Sequence, residues 1–186
     1  MLIVMGLPGV GKSSVLKSIQ AKRPKVKIVN YGDLLFFAAK KRFNLSDRDK
    51  IVGLSMKDHM VIQNEAIKEI DSGPMAILDT HAVLKKPSGF LPGLSPELLE
   101  RPGIEGFIFI DAPTRDIIER RTADPARTRP AMTAEELNGI RSASFSNIAV
   151  YSAATAKPVF ILINRKGKMG DTVEEFDHIL RALGWE

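Results

Sequence analysis

The sequence predicts an α/β fold, with a parallel sheet of about five strands and helices on both faces. Five short apolar runs rich in β-branched residues indicate the strands, at 2–5, 26–29, 75–78, 107–110 and 159–163. The segments between them carry apolar residues at helical spacing, over 12–22, 33–42, 55–71, 113–123, 133–154 and 172–183. Strands that alternate with helices in this way are typical of a parallel sheet buried on both faces.

The length and composition favour one soluble domain that spans residues 1–186. Hydrophobic residues make up 44% of the chain and charged residues 26%, a mixture that can form a full hydrophobic core. No run approaches the roughly 18 uninterrupted apolar residues of a membrane helix, so no membrane partner is expected. The chain has no cysteine, and its apolar start leads into a glycine-rich loop rather than a cleavage site. We therefore expect a cytoplasmic protein.

The formal net charge of +5 does not by itself predict a nucleic-acid partner. The 27 basic residues are dispersed, and no run of five or more occurs. One local concentration lies between Arg120 and Arg129, where Arg121 and Arg127 bring the arginines to four against a single acid, Asp124. Such a segment favours the binding of anions, although a solvated basic surface would also explain it.

The glycine-rich loop after the first strand fits the phosphate-binding template G-x-x-x-x-G-K-[ST] at every fixed position. Its glycines allow backbone N–H groups to surround a phosphate, and the following helix adds positive potential. Lys12 can reach the β- and γ-phosphates, and the Ser13 hydroxyl can bind Mg²⁺. A mere glycine-rich turn would not require Lys and Ser in this register. The sequence therefore predicts a P-loop ATP site made of Gly6, Leu7, Pro8, Gly9, Val10, Gly11, Lys12, Ser13 and Ser14.

A magnesium site also needs a carboxylate near Ser13, usually at the end of a neighbouring strand. Asp79 follows the predicted strand at 75–78, and Asp111 follows the strand at 107–110. Either residue could instead cap a helix. We favour Asp79, acting through water, and expect Mg²⁺ as the cofactor.

Residues 80–96 form the longest segment without a periodic pattern, and they include three prolines and two glycines. Long segments of this kind are usually binding loops or linkers. The apolar residues Phe90, Leu91 and Leu94 favour an ordered binding loop.

The arginine-rich segment favours phosphoryl transfer between two nucleotides, which gathers many negative charges and depends on positioning and charge stabilisation. Prolines at 125 and 130 bracket Arg127 and Arg129, a pattern that we interpret as a short lid over about 122–132. We expect Lys12, Arg120, Arg127 and Arg129 to act on the transferred phosphate.

Two other nucleotide-binding classes fit poorly. A guanosine switch would need Asn-Lys-x-Asp after a strand. The segment Asn164-Arg165-Lys166-Gly167 resembles that motif only loosely. A dinucleotide-binding fold would need G-x-G-x-x-G, whereas Gly6, Gly9 and Gly11 are spaced differently.

Together these residues resemble the archaeal-type adenylate kinases, a family of P-loop nucleoside monophosphate kinases, over nearly the whole chain. The P-loop is similar to G-[IV]-P-G-V-G-K-[ST]-[ST], and the segments 30–33 and 47–49 resemble N-[YF]-G-[DT] and D-R-D. The segments 79–83 and 86–94 resemble D-T-H-x-x-x-x-[TK]-P-x-G-[YF]-L-P-G-L. Arg120-Arg121 and the arginines after Asp124 are similar to the helix and short lid of that family.

The resemblance implies the reaction ATP + AMP ⇌ 2 ADP, a monophosphate-binding region over about 31–72, and a homo-oligomer, often a trimer. It also implies a set of residues on the monophosphate side: Tyr31, Gly32, Asp33, His81 and Arg141. His81 could equally be structural. The chain departs from the family pattern at 51–54, where Ile-Val-Gly-Leu replaces an Arg-Lys-Leu segment.

Two alternatives fit part of this pattern. One is a related kinase that acts on another monophosphate or on a sugar-like acceptor. The other is a nucleotide-dependent RNA-binding regulator, which the basic net charge suggests and which salt-sensitive binding would reveal.

Overall fold

The computed structural model of the chain describes residues 1–70, 73–86, 89–123 and 132–186. Its strands in chain order are β1 (Leu2–Gly6), β2 (Lys27–Asn30), β3 (Ala76–Asp79), β4 (Val83–Lys86), β5 (Gly89–Pro92), β6 (Gly106–Asp111) and β7 (Val159–Ile163). Five of them form one sheet in the order β2-β3-β1-β6-β7. All four neighbouring pairs in this sheet are parallel, which confirms the predicted fold class.

The helices also lie close to their predicted positions. They are α1 (Lys12–Lys22), α2 (Tyr31–Phe43), α3 (Met56–Lys68), α4 (Pro96–Leu99), α5 (Thr114–Thr122), α6 (Ala134–Thr155) and α7 (Met169–Ala182), with a 3-10 helix at Arg48–Gly53. Every residue of β1 and β6 is buried. Helices therefore cover both faces of the sheet, as the unbroken apolar runs of these strands require.

The register of the sheet brings three functional candidates to one edge. Val4 of β1 pairs with Asp79 at the end of β3, and Gly6 pairs with Ile110, one residue before Asp111 at the end of β6. The P-loop, which follows Gly6, thus emerges between the two strand-end aspartates. This is the edge of a parallel α/β sheet at which ligands bind.

The starts of two helices are fixed by side chains of the chain itself. Ser55 accepts a hydrogen bond from the backbone N–H of Asp58 and starts α3. Thr133 and Glu136 form a reciprocal capping box at the start of α6. Both helices therefore begin at a side-chain cap that the sequence supplies.

The segment 80–96 is more regular than we predicted. β4 and β5 pair antiparallel within it, and α4 begins at Pro96. Tyr151 of α6 supports this pair, because its hydroxyl donates to the carbonyl oxygen of Ala82 at 2.9 Å and accepts from the N–H of Gly93 at 3.1 Å. The predicted irregular loop is therefore corrected to a short two-stranded structure held against α6.

Within the described ranges, the chain has no helix that is both long enough and apolar enough to cross a membrane.

Candidate active site

The local structure of the P-loop requires glycine at three positions. A Cβ atom on Gly6 would lie 2.6 Å from the carbonyl oxygen of Ile110, so this close approach of β1 to β6 requires glycine. Gly9 and Gly11 have φ angles of 99° and 86°, in the left-handed region that other residues rarely adopt. The bend of the loop away from β1 therefore depends on these three residues.

The N-terminus of α1 is suited to an anion. The capping residue is Gly11, which has no side chain to bond the first backbone N–H groups of the helix. Those groups and the helix dipole create positive potential at this end. Ser13 and Ser14 are exposed there. A phosphate can thus accept from the backbone, and the Ser13 hydroxyl remains accessible beside it.

Lys12 and Asp79 form a largely buried ion pair at the centre of this edge. Burial lowers the pKa of Lys12, and the nearby guanidinium of Arg48 lowers it further, to about 7. The Asp79 carboxylate acts in the opposite direction, because an adjacent negative charge favours the protonated amine. A phosphate bound by the P-loop would act in the same direction as Asp79 and hold Lys12 in its charged form.

Asn30 connects this ion pair to the start of α2. Its Nδ2 donates to Asp79 at 3.0 Å, and its Oδ1 accepts from the N–H of Asp33 at 3.1 Å and from Nη2 of Arg48 at 3.0 Å. Arg48 also pairs with the Asp33 carboxylate. One side chain therefore caps α2, orients Asp79 and holds Arg48.

These groups line a cavity of about 170 Å³. Its polar side chains are those of Lys12, Asn30, Arg48, Asp79, Thr80 and His81. Its apolar side chains are those of Leu35, Ile51, Val52 and Leu84. The cavity lining thus combines two cationic side chains, Lys12 and Arg48, with apolar surface.

Two of the five residues predicted for the monophosphate side, Gly32 and His81, line this cavity. Asp33 is outside the lining and pairs with Arg48, which belongs to it. Nδ1 of His81 lies 3.2 Å from the carbonyl oxygen of Gly6, which ties the β3–β4 connection to the P-loop. His81 therefore contacts the main chain of the P-loop and also lines the cavity.

Tyr31 and Arg141 do not line this cavity, and the role of Arg141 on the monophosphate side stays a prediction. Tyr31 is fully buried, and burial together with Glu97 raises the pKa of its hydroxyl, so it belongs to the core rather than to the cavity. Arg141 of α6 donates to Asp111 at 2.8 Å and to the carbonyl oxygen of Ala112 at 3.0 Å. Asp111, the rival metal ligand, is therefore engaged by a guanidinium.

Arg120 reaches the P-loop, but its guanidinium contacts the main chain. It donates to the carbonyl oxygens of Val10 and Asn164, each at 2.9 Å. The stem of Arg121 packs over Gly9, where a Cβ would lie 2.8 Å from its Cγ. Arg127 and Arg129 of the predicted lid lie outside the described residues. The catalytic role expected for Arg120, Arg127 and Arg129 stays a prediction.

The predicted site residues did not include three that the structure brings to the site, namely Asn30, Arg48 and Asn164. Asn30 and Arg48 lie in the segments 30–33 and 47–49, which resemble the family motifs, but no role was assigned to either residue. Asn30 also follows an apolar run directly, the same signal that identified Asp79. Asn164 follows a strand as well.

The donor set at the P-loop suits a hard divalent cation. Ser13 offers a hydroxyl and Asp79 a carboxylate, and oxygen is the ligand that Mg²⁺ prefers. Among the described residues there is no cluster of three or more His, Cys, Asp or Glu that could hold a metal by itself.

A second cavity, of about 260 Å³, lies at the opposite end of the sheet beside Val26 and Met75. Three of its charged residues are engaged with one another, because Lys22 and Arg23 both pair with Asp177. The cavity contains none of the P-loop residues.

Similarity to known proteins agrees with this geometry. A family model described as an AAA domain matches residues 5–138. An adenylate kinase from Thermoplasma acidophilum is 37% identical over 166 residues, which cover 89% of this chain and 90% of that protein. The chain belongs to the adenylate kinase family. This confirms the resemblance inferred from the motifs.

Other members and a more distant structure extend the comparison. An adenylate kinase from Thermoplasma volcanium is 33% identical over 179 residues, which cover 96% of this chain and 98% of that one. The crystal structure of shikimate kinase from Bacteroides thetaiotaomicron superposes with a TM-score of 0.57 over 97% of both chains, at 11% identity. The adenylate kinase family member described here therefore shares its overall fold with that kinase.

Proposed function

We propose that the chain catalyses the reversible, Mg²⁺-dependent transfer of a phosphoryl group from ATP to AMP, which yields two ADP. The observation that carries this proposal is a row of hydrogen-bonded polar side chains, which runs from Lys12 through Asp79 and Asn30 to Arg48. It joins a phosphate-binding loop to a second cationic group across one cavity. Transfer between two nucleotides needs two phosphate sites at such a distance that donor and acceptor meet.

On the donor side, the backbone of the P-loop and the N-terminus of α1 bind the ATP phosphates. Lys12 neutralises the phosphate that is transferred. Its pKa is lowered by burial, and the negative charge of the entering phosphate raises that pKa again and favours the protonated amine. The proposed ATP contacts are those of residues 6–14. When bound, Mg²⁺ supplies charge stabilisation to the donor phosphates, with Ser13 as a ligand and Asp79 acting through its water shell.

On the acceptor side, the cavity wall recognises AMP in two parts. The Arg48 guanidinium, which is half exposed, faces the cavity and offers a planar set of donors to the monophosphate. Leu35, Ile51 and Leu84 provide apolar surface for the base. Arg48 lies in the segment 47–49, which resembles the family pattern, whereas Ile51 lies at 51–54, where the chain departs from it.

The proposed domain organisation follows from these positions. Residues 1–186 form one nucleoside monophosphate kinase domain, with the monophosphate-binding region over about 31–72 and a lid over about 122–132. Arg127 and Arg129 of the lid, with Arg120, stabilise charge on the transferred phosphate when the lid closes and excludes water. We propose a cytoplasmic homo-oligomer, a trimer by family resemblance, which light scattering tests directly.

A donor–acceptor matrix with product identification tests the proposed function. ATP and GTP serve as donors, and AMP, GMP, CMP, UMP, shikimate and gluconate serve as acceptors, with and without Mg²⁺. We expect ADP as the only product of ATP and AMP, and no product without Mg²⁺. A folded Lys12→Ala protein, which lacks the cation on the transferred phosphate, is the negative control. Faster transfer to any other acceptor, or release of inorganic phosphate alone, would contradict the proposal.

A further inference from the structure

Asn164 lies directly after β7 and is 3% exposed. Its Nδ2 donates to the carbonyl oxygen of Val10 in the P-loop at 2.7 Å. A carbonyl oxygen only accepts hydrogen bonds, so this contact fixes which end of the amide faces the loop. The other end, Oδ1, is buried and has no hydrogen-bond partner in the part of the chain that the structure describes. The hydrogen bond that this side chain donates is thus directed at the P-loop.

The same Val10 carbonyl oxygen has a second donor. Nη1 of Arg120 bonds to it at 2.9 Å, and Nη2 of Arg120 bonds to the main-chain oxygen of Asn164, also at 2.9 Å. The N–H of Asn164 in turn donates to the carbonyl oxygen of Asp111 at 2.8 Å. Two linked donors, anchored to the end of β6, therefore fix the direction of one P-loop carbonyl.

Fixing this carbonyl also fixes an N–H group. The peptide unit between Val10 and Gly11 is trans and planar, so its C=O and N–H point in opposite directions. Because the carbonyl oxygen of Val10 faces Asn164, the N–H of Gly11 is directed away from Asn164. A Cβ on Gly11 would lie 2.7 Å from Nδ2 of Asn164, so glycine is also what permits this close approach. Backbone N–H groups of a P-loop are the groups that surround phosphate.

We infer that Asn164 is a positioning residue for the donor phosphates, acting through the peptide unit between Val10 and Gly11. The inference rests on the proposed function only in that the P-loop binds the phosphates of the donor. Asn164 is uncharged, so its effect on phosphate binding operates through the geometry of the loop. That effect is independent of the base and of the acceptor.

Two variants and one control test this role. Asn164→Ala removes the donor, and Asn164→Leu removes it while filling the space, so that a cavity effect is separated from the lost hydrogen bond. Asn147→Ala is the matched control, because Asn147 donates from Nδ2 to the carbonyl oxygen of Ala143 within α6, at 3.0 Å. The affinities for ATP and for inorganic tripolyphosphate are measured by calorimetry, with the KM for AMP and the melting temperature of the ligand-free protein.

Misalignment of one N–H to a charged phosphate should weaken both ATP and tripolyphosphate by the same factor, about tenfold or more. The KM for AMP should stay unchanged, and the melting temperature should fall no further than in Asn147→Ala. Weaker ATP binding with normal tripolyphosphate binding would overturn the inference, because it would mean that Asn164 contacts the base. Wild-type affinities, or loss of folding in both variants, would overturn it as well. A wild-type protein that binds ATP but transfers nothing to AMP would refute the proposed function and leave this test intact.

Discussion

Replacing Gly32 by alanine is expected to weaken AMP binding without destabilising the protein. Gly32 is the second residue of α2, and a Cβ there would lie 2.0 Å from Nη2 and 2.9 Å from Cζ of Arg48. Non-bonded carbon and nitrogen atoms need roughly 3.5 Å, so the guanidinium must move by about 1.5 Å. The arginine side chain is long and half exposed, and it can absorb this shift by changing rotamer.

The expected rise in the KM for AMP follows from the hydrogen bond that Arg48 can no longer donate to the monophosphate. In the present arrangement it is held by Asn30 and Asp33 with its guanidinium towards the cavity. A lost hydrogen bond to a charged group costs about 1.5–3 kcal/mol, so the KM for AMP should rise about 10- to 100-fold. Alanine is favoured over glycine in a helix by up to about 1 kcal/mol, so the melting temperature should not fall.

The assay is steady-state turnover at saturating ATP with AMP varied, beside calorimetric ATP affinity. Gly53→Ala is the matched control, since a Cβ on Gly53 would meet no atom within 4 Å although the residue lies in the same segment as Arg48. An unchanged KM for AMP in folded Gly32→Ala, or an equal change in Gly53→Ala, would refute the role given to Arg48.

Three further predictions concern the metal, the acceptor region and the lid. Asp79→Asn should raise the Mg²⁺ concentration needed for half-maximal turnover far more than it lowers ATP affinity, because the carboxylate acts on the water shell of the metal; loss of folding instead would mark Asp79 as structural. His59 of α3 is fully buried, and burial together with Lys86 lowers the pKa of its ring to about 4. The unfolded chain therefore binds a proton that the folded chain does not between about pH 6.5 and pH 4, and the free energy of unfolding should fall by about 2–3 kcal/mol as the pH drops from 7 to 4.5. Urea unfolding of His59→Leu should lack this part of the slope, whereas His178→Leu, at an exposed position, should keep it; equal slopes in all three proteins would contradict the prediction. Replacing both Arg127 and Arg129 by alanine should lower turnover by ~10²-fold with unchanged ATP affinity, and unchanged turnover would identify them as a solvated surface.

The sheet and the P-loop could be predicted because their signals are local. The run Met75-Ala76-Ile77-Leu78 is apolar throughout, as a strand buried on both faces must be, and its terminal Asp79 has to lie at the carboxyl edge. The P-loop template combines a conformational requirement for glycine with a chemical requirement for Lys12 and Ser13. Neither signal depends on contacts with distant parts of the chain.

The pair of strands at 83–92 could not be predicted in the same way. Each strand has only four residues, and Pro92 lies within the second one, a pattern that argues against a strand. What stabilises the pair is Tyr151, which comes from a helix more than 50 residues later. A contact at that separation has no local sequence signal.

The positions of Tyr31 and Arg141 could not be predicted for a similar reason. Tyr31 lies between Asn30 and Gly32, which both line the cavity, yet its side chain enters the core. Neighbouring residues at the start of a helix point in different directions, so a motif of consecutive residues does not tell which side chain faces the ligand. Arg141 could have faced a phosphate by charge alone, but Asp111 lies within hydrogen-bond distance of it in the folded chain.

The most direct test of the proposed reaction is to run it in reverse with one substrate. Purified protein is incubated with ADP and Mg²⁺, and the phosphorus resonances are followed by NMR, with Lys12→Ala as the control. We predict that ADP disappears while ATP and AMP appear in equal amounts, up to a constant ratio that the same mixture reaches from ATP and AMP. Conversion of ADP to AMP and inorganic phosphate, or ADP that stays unchanged beside a folded protein that binds it, would contradict phosphoryl transfer between two adenine nucleotides.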